Sequence, residues 1–124
     1  MMNITDAEME IMRIVWDSGE RVTTKDIMAQ LPGKKATTIL TLAGRLIGKG
    51  ALKSVKIGRS HAHEYWAGIS EAEYQQMQTR NFIRSIYNGS AKNLISALFQ
   101  DENLTKGDIA ELRALIDRQV QRDD

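Results

Sequence analysis

Residues 36–57 read ATTILTLAGRLIGKGALKSVKI, and within them the apolar period changes. From Ala36 to Lys49, the apolar residues Ile39, Leu42, Ala43 and Leu46 share one side of a helical wheel. Thr37, Thr41, Gly44, Arg45 and Gly48 take the opposite side. Gly50 offers a left-handed stop. Leu52 to Ile57 then alternates apolar and polar, the pattern of a half-buried strand. Gly58-Arg59-Ser60 reads as a turn and His63 to Ala67 as the return strand. The segment is therefore a helix followed by a basic β-hairpin.

Upstream, residues 5–18 predict another helix. Thr5 caps it, Glu8 completes a capping box, and Asp6, Glu8 and Glu10 sit at the positive end of its dipole. Ile4, Ile11 and Val15, with Met12 and Trp16 alongside, form an apolar stripe broken once, by Glu8. A short helix is expected at about residues 24–31, closed by Pro32-Gly33. The order helix, short helix, helix, hairpin is that of a winged helix-turn-helix over residues 1–69. In such a domain the third helix enters a DNA major groove and the hairpin lies along the backbone.

From residue 70 the pattern is helical throughout. Capping signals at Ser70 with Glu73, at Ser90, and at Thr105 with Asp108 open three helices, the first stopped by Asn88-Gly89. A 55-residue unit of three helices is near the lower limit for folding alone. Its apolar stripes exceed what it can cover, so residues 70–124 are expected to form a dimerisation domain. Phe82, Ile86, Leu94, Leu98, Ile109, Leu112 and Ile116 are its candidate contacts. The alternative is that this half packs on the winged helix of its own chain. The expected fold class is mainly α with a small β-hairpin.

Composition agrees with a folded, DNA-directed chain. Of 124 residues, 42% are hydrophobic and 27% charged. No cysteine is present, which excludes disulfides, thiolate metal sites and a cysteine nucleophile. The net charge of +1 is a cancelling total. Residues 1–26 carry six acids against three bases, and residues 64–124 ten against seven. Residues 27–63 carry seven bases and no acid, the balance of a face built for a polyanion. Thr37, Thr38, Thr41 and Arg45 are the candidate base readers, since threonine offers a hydroxyl and a methyl and arginine pairs bidentately with guanine. Lys34, Lys35, Lys49, Lys56 and Arg59 are the candidate phosphate contacts.

Gly44 and Gly48 each cost roughly 1 kcal/mol of helix stability relative to alanine, and steric clearance for DNA is a reason to keep them. His61, His63 and Glu64 lack a clear further ligand partner, so neither a metal nor a cofactor is expected. No catalytic motif is present, and the N-terminus lacks the order of a signal peptide, so a cytoplasmic, non-enzymatic protein is expected. A competing reading is a protein-interaction module that offers the basic face to an acidic partner.

Particular residues resemble a known family. Ile4-Thr5-Asp6-Ala7-Glu8-Met9-Glu10-Ile11-Met12 through Trp16 is similar to the opening helix of the penicillinase repressors, the BlaI/MecI type. Thr38-Ile39-Leu40-Thr41-Leu42-Ala43-Gly44-Arg45-Leu46 with Lys49-Gly50 resembles their recognition helix, T-x-x-T-L-x-x-R-L-x-x-K-G. Phe82-Ile83, Tyr87-Asn88-Gly89-Ser90, Leu94-Ile95 and Ile109-Ala110-Glu111-Leu112 are similar to their C-terminal part. The resemblance implies a dimeric repressor of antibiotic-resistance genes that binds inverted repeats of TACA/TGTA type. It also implies induction through a membrane sensor protease, with cleavage between Asn and Phe in the dimerisation domain. The matching positions here are Leu98-Phe99, with leucine in place of asparagine. Copper-responsive relatives use a cysteine-rich site, which this chain does not carry.

Overall fold

The computed structural model describes residues 2–58, 62–100 and 103–122. The elements run α1 (Asp6–Ser18), β1 (Val22–Thr23), α2 (Thr24–Gln30), α3 (Ala36–Gly48), β2 (Leu52–Lys56), β3 (His63–Ala67), α4 (Glu71–Ile86), α5 (Ala91–Phe99) and α6 (Lys106–Arg122). They fall into two compact units, Met1–Gln76 and Met77–Asp124.

The first unit is a winged helix. The capping box that opens α1 forms as the sequence predicts. Glu8 N–H donates to Thr5 Oγ1 at 3.3 Å, and Thr5 N–H donates to Glu8 Oε1 at 3.0 Å. Ile11, Met12, Ile14 and Val15 of α1 are buried together with Ile27 of α2 and with Ile39, Leu42, Ala43 and Leu46 of α3. This is the predicted apolar face of α3, and it sets the opposite face outward.

The hairpin gains a partner that the sequence did not announce. β1 pairs antiparallel with β3, Val22 opposite Tyr65, so the sheet has three strands in the order β1-β3-β2. A two-residue strand is too short to show an alternation. Thr23 also caps α2, in a reciprocal box with Asp26, with N–H to side-chain oxygen distances of 2.9 and 3.1 Å. One residue thus ends a strand and starts a helix.

β2 departs from its expected alternation. Leu52 is buried, whereas Val55 and Ile57 are exposed. Positions 52 and 55 have opposite parity, so one strand cannot turn both inward. At the base of the hairpin Gly68 N–H donates to the Ala51 carbonyl at 2.8 Å, and a Cβ on Gly68 would stand 2.5 Å from the Gly50 oxygen. Only glycine permits that closure.

The expected domain boundary followed residue 69, but the first unit continues to Gln76. The start of α4 is tied into it. Trp16 Nε1 donates to the Ile69 carbonyl at 3.0 Å, Ile4 N–H donates to the Tyr74 hydroxyl at 3.3 Å, and the Trp16 and Tyr74 rings lie 6.1 Å apart. These links span 53 and 70 residues.

Glu8, the acid in the apolar stripe, is fully buried. Its Oε1 accepts from Lys49 Nζ at 2.6 Å, while Oε2 has no partner. Lys49 also donates to the Asn3 carbonyl at 2.6 Å. Burial pushes the Glu8 carboxyl up, but hydrogen bonds from Lys49 and Thr5 and the Lys49 charge outweigh it, holding the group below the ordinary glutamate value.

The second unit comprises α4 from Met77, α5 and α6. Ser90 caps α5 through Asn93 N–H at 3.1 Å, and Thr105 with Asp108 forms a box at the start of α6. Asn88 and Gly89, both with positive φ, break the chain between α4 and α5. Among the described residues of this unit none is buried. Ile86 and Val120 are 63% and 60% exposed. No helix among the described residues is long and apolar enough to cross a membrane.

Lys49→Met is expected to destabilise the first unit by about 3 kcal/mol, because it strands a buried carboxylate. Replacing both members, as Glu8→Leu with Lys49→Met, should cost less than the single change; chemical denaturation measures both. The lowered folded-state value of Glu8 makes its contribution present above the ordinary glutamate range. That contribution is lost as pH falls through the folded value. Acid unfolding of a Glu8→Gln variant should therefore show a shallower dependence over that range than the parent.

Candidate nucleic-acid interface

A helix-turn-helix works by burying one side of its second helix so firmly that the other side is presented rigidly. Here α2, the turn through Pro32-Gly33 and α3 make that unit. Lys34 N–H donates to the Leu31 carbonyl at 3.0 Å within the turn. Ile39 and Leu46 have no solvent exposure, so α3 cannot roll without unpacking the core.

Thr37, Thr38, Thr41 and Arg45 are all exposed, and with Leu42 they line one shallow groove on the outer side of α3. The four candidate base readers are thus brought together. Thr41 Oγ1 donates to the Thr37 carbonyl at 2.9 Å. Its hydrogen is used within the helix, leaving an acceptor lone pair and a methyl group facing out. Arg45 makes no ion pair among the described residues, and α3 has no acid in its first turn.

Gly44 and Gly48 lie on the same side. A Cβ built on either meets nothing within 4 Å. Neither has positive φ. Protein packing and backbone conformation therefore give no reason for glycine at these positions.

Lys35 stands at the N-cap of α3, and its side chain makes no cap. The first amides of α3 have no side-chain cap, follow Lys34-Lys35 and have no acid in their turn, an arrangement that favours an anion. Lys35, Lys53 and Lys56 are exposed. Lys34 Nζ lies 3.6 Å from Glu10 Oε2, a long pair whose acid is half exposed and which leaves the lysine at the surface.

Lys49, in the K-G pair after α3, is expected at the phosphate backbone; its ammonium donates to Glu8 and to the Asn3 carbonyl, and its side chain stays 32% exposed. Arg59, expected at the hairpin tip, and His61 fall outside the described residues. His63 lies in β3 with its ring 5.9 Å from Tyr65. Among the described residues no group of three His, Cys, Asp or Glu could hold a metal ion.

In the second unit, Leu98, Leu112 and Ile116 line an apolar groove of about 310 Å³ with Ile95, Phe99 and Leu115. Phe82, Ile86 and Ile109 are exposed, and Leu94 is half-buried. The Phe82 ring rests 5.7 Å from Tyr87. The sequence reading passed over Leu115 because the 3-4-4 stripe of α6 runs through Ile109, Leu112, Ile116 and Val120. The Leu98-Phe99 bond lies at the end of α5, and both side chains are 45% exposed.

Comparison with known proteins covers both units. The penicillinase repressor from Bacillus licheniformis is 30% identical over 123 residues, which is 96% of this chain and 93% of that protein. The methicillin resistance regulatory protein MecI from Staphylococcus aureus strain N315 is 27% identical over 118 residues, 93% and 94% of the two chains. A solution structure of the Bacillus licheniformis BlaI monomeric form in complex with the blaP half-operator superposes with a TM-score of 0.47 at 34% identity. The match covers 59% of this chain and 89% of that one. The family profile described as penicillinase repressor matches residues 4–118, and this chain belongs to that family.

Proposed function

We propose that this chain is a sequence-specific DNA-binding transcriptional repressor, acting as a homodimer on a palindromic operator of TACA/TGTA type at antibiotic-resistance genes. The observation that carries this reading is the outer side of α3. Three threonines and an arginine share one groove there, beside two glycines that nothing in the protein requires. The relatives named as penicillinase and methicillin-resistance regulators support the same reading.

In this reading Arg45 pairs with guanine through its fork of donors. Thr41, with its hydrogen already donated, accepts from an amino group or packs its methyl on a thymine methyl. Lys34, Lys35 and Lys56 hold phosphates, and the free amides at the start of α3 add to them. Gly44 and Gly48 let the helix settle close to the duplex. A repressor acts by occupying DNA, so no residue is assigned a catalytic role.

The second unit is the dimerisation domain. From Met77 on no described residue is buried, so this unit needs a covering surface, and a second copy supplies a matching apolar one. A two-fold pair would set its recognition helices about 34 Å apart, one DNA turn. The same reading makes a membrane sensor protease the partner that relieves repression. Leu98-Phe99 stands at the family's cleavage position, and leucine there in place of asparagine argues against a cut at this bond.

Affinity for an inverted-repeat duplex is expected to fall steeply with salt and to exceed that for a scrambled duplex; equal affinity for both would refute sequence reading. Arg45→Ala should cost about 1–3 kcal/mol on the repeat and little on the scrambled duplex. Lys35→Ala should weaken both alike and lower the salt slope by about 1. Lys49→Met should leave that slope unchanged, since its ammonium faces Glu8. Gly44→Ala should stabilise folding by roughly 1 kcal/mol yet weaken DNA binding. A gain or no change in DNA affinity would remove the clearance argument. Sedimentation should give a dimer that Ile116→Asp dissociates.

A further inference from the structure

We propose that the cleft between the C-terminal end of α1, β3 and the first turn of α4 binds an organic cation, an ammonium or guanidinium group on a small apolar body. The cleft lies wholly within the first unit, apart from the α3 face. Its volume is about 590 Å³, within the size range of small-molecule sites.

The walls are aromatic. Trp16 and Trp66 both line the cleft, and they are the only tryptophans in the chain. Trp16 is held by its bond to the Ile69 carbonyl and by the Tyr74 ring, so its face is fixed. Trp66 already carries a cation. The Arg21 guanidinium carbon lies 4.1 Å from its ring centroid. Indole faces attract cations through their quadrupole, and Arg21 lies at the distance such an attraction sets.

The electrostatics point the same way. Asp17, Glu20 and Glu71 line the cleft, and among the described residues none of the three makes an ion pair. Asp17 sits in the last turn of α1, where the helix dipole is already negative and no basic residue is present. Helices ordinarily place bases there, and a local rule broken in this way marks a functional position. Arg21 brings one positive charge to three carboxylates. An anion, a nucleic-acid phosphate included, is repelled from this cleft. A hard metal ion gains little from indole walls. A cation with an apolar body satisfies both the acids and the rings.

Such a group comes either from a free small amine or from a lysine or arginine side chain of a partner protein. The two tryptophans make the cleft its own reporter. The full chain is titrated at constant ionic strength with choline, with N-acetyl-arginine methylamide, and with 3,3-dimethylbutan-1-ol, the uncharged isostere of choline. Saturable change of tryptophan fluorescence is expected with the cations and not with the alcohol. Arg21→Ala, which removes the internal competitor, should tighten cation binding about two- to fivefold. The Asp17→Asn, Glu71→Gln double variant should weaken it about tenfold. Tighter binding of choline identifies a free amine as the source, and tighter binding of the arginine derivative a protein side chain. The proposal is overturned if the alcohol binds as well as choline, if neither cation gives a saturable change, or if the double variant binds both cations unchanged.

Discussion

A carboxylate without solvent exposure has to be answered inside the protein, and in this chain one ammonium answers it. Glu8 is the third residue of α1 and Lys49 caps the far end of α3, 41 residues later. Their contact joins the first helix to the helix that faces outward, and the Asn3 carbonyl draws the N-terminal strand of chain to the same ammonium. Glu8 also closes the capping box with Thr5, so one side chain starts α1 and anchors α3. A hydrophobic residue at position 8 would pack against Ile11 and Met12 but would leave Lys49 without its acid and the N-terminal segment without its tie. The geometry of the outward face therefore rests in part on an ion pair at the C-terminal end of α3 itself.

The chain divides its polarity unequally. In the first unit apolar groups are inside; Lys34 and Lys49 meet Glu10 and Glu8 of α1, while Lys35, Arg45, Lys53 and Lys56 are exposed. In the second unit the apolar groups are outside. The first arrangement is that of a finished domain. The second leaves an apolar groove, lined by Leu98, Leu112 and Ile116, that the unit itself does not fill. The net charge of +1 records none of this.

What could be read from the sequence was whatever depends on near neighbours. The boxes Thr5–Glu8, Ser70–Glu73 and Thr105–Asp108 span three residues each and all form. The face of α3 followed from its period alone. Features set by distant partners were not legible. β1 exists because Val22 meets Tyr65, and the first unit reaches Gln76 because Tyr74 meets Ile4 and Trp16. Lys49 looked like a phosphate ligand because it follows a recognition helix, and only the fold brings Glu8 to it. The one available signal was a lone acid in an apolar stripe. Such an acid asks for a base somewhere, and Lys49 was among the candidates. The groove of α3 was legible as a set of residues, but the internal bond of Thr41 to Thr37 was not, because it depends on a rotamer.

The second unit, with every described residue at least partly exposed, has a further consequence. A cooperative core is what makes a helix expensive to open, and amide protection follows that cost. Helices whose described residues are all this exposed open cheaply until something covers them. Backbone that opens cheaply is where proteases begin. The lifetime of this half in a cell is then governed by how much of it is covered at any moment. For a surface covered by a second copy, that fraction rises with the amount of protein made, so scarcity shortens the life of each molecule and abundance extends it.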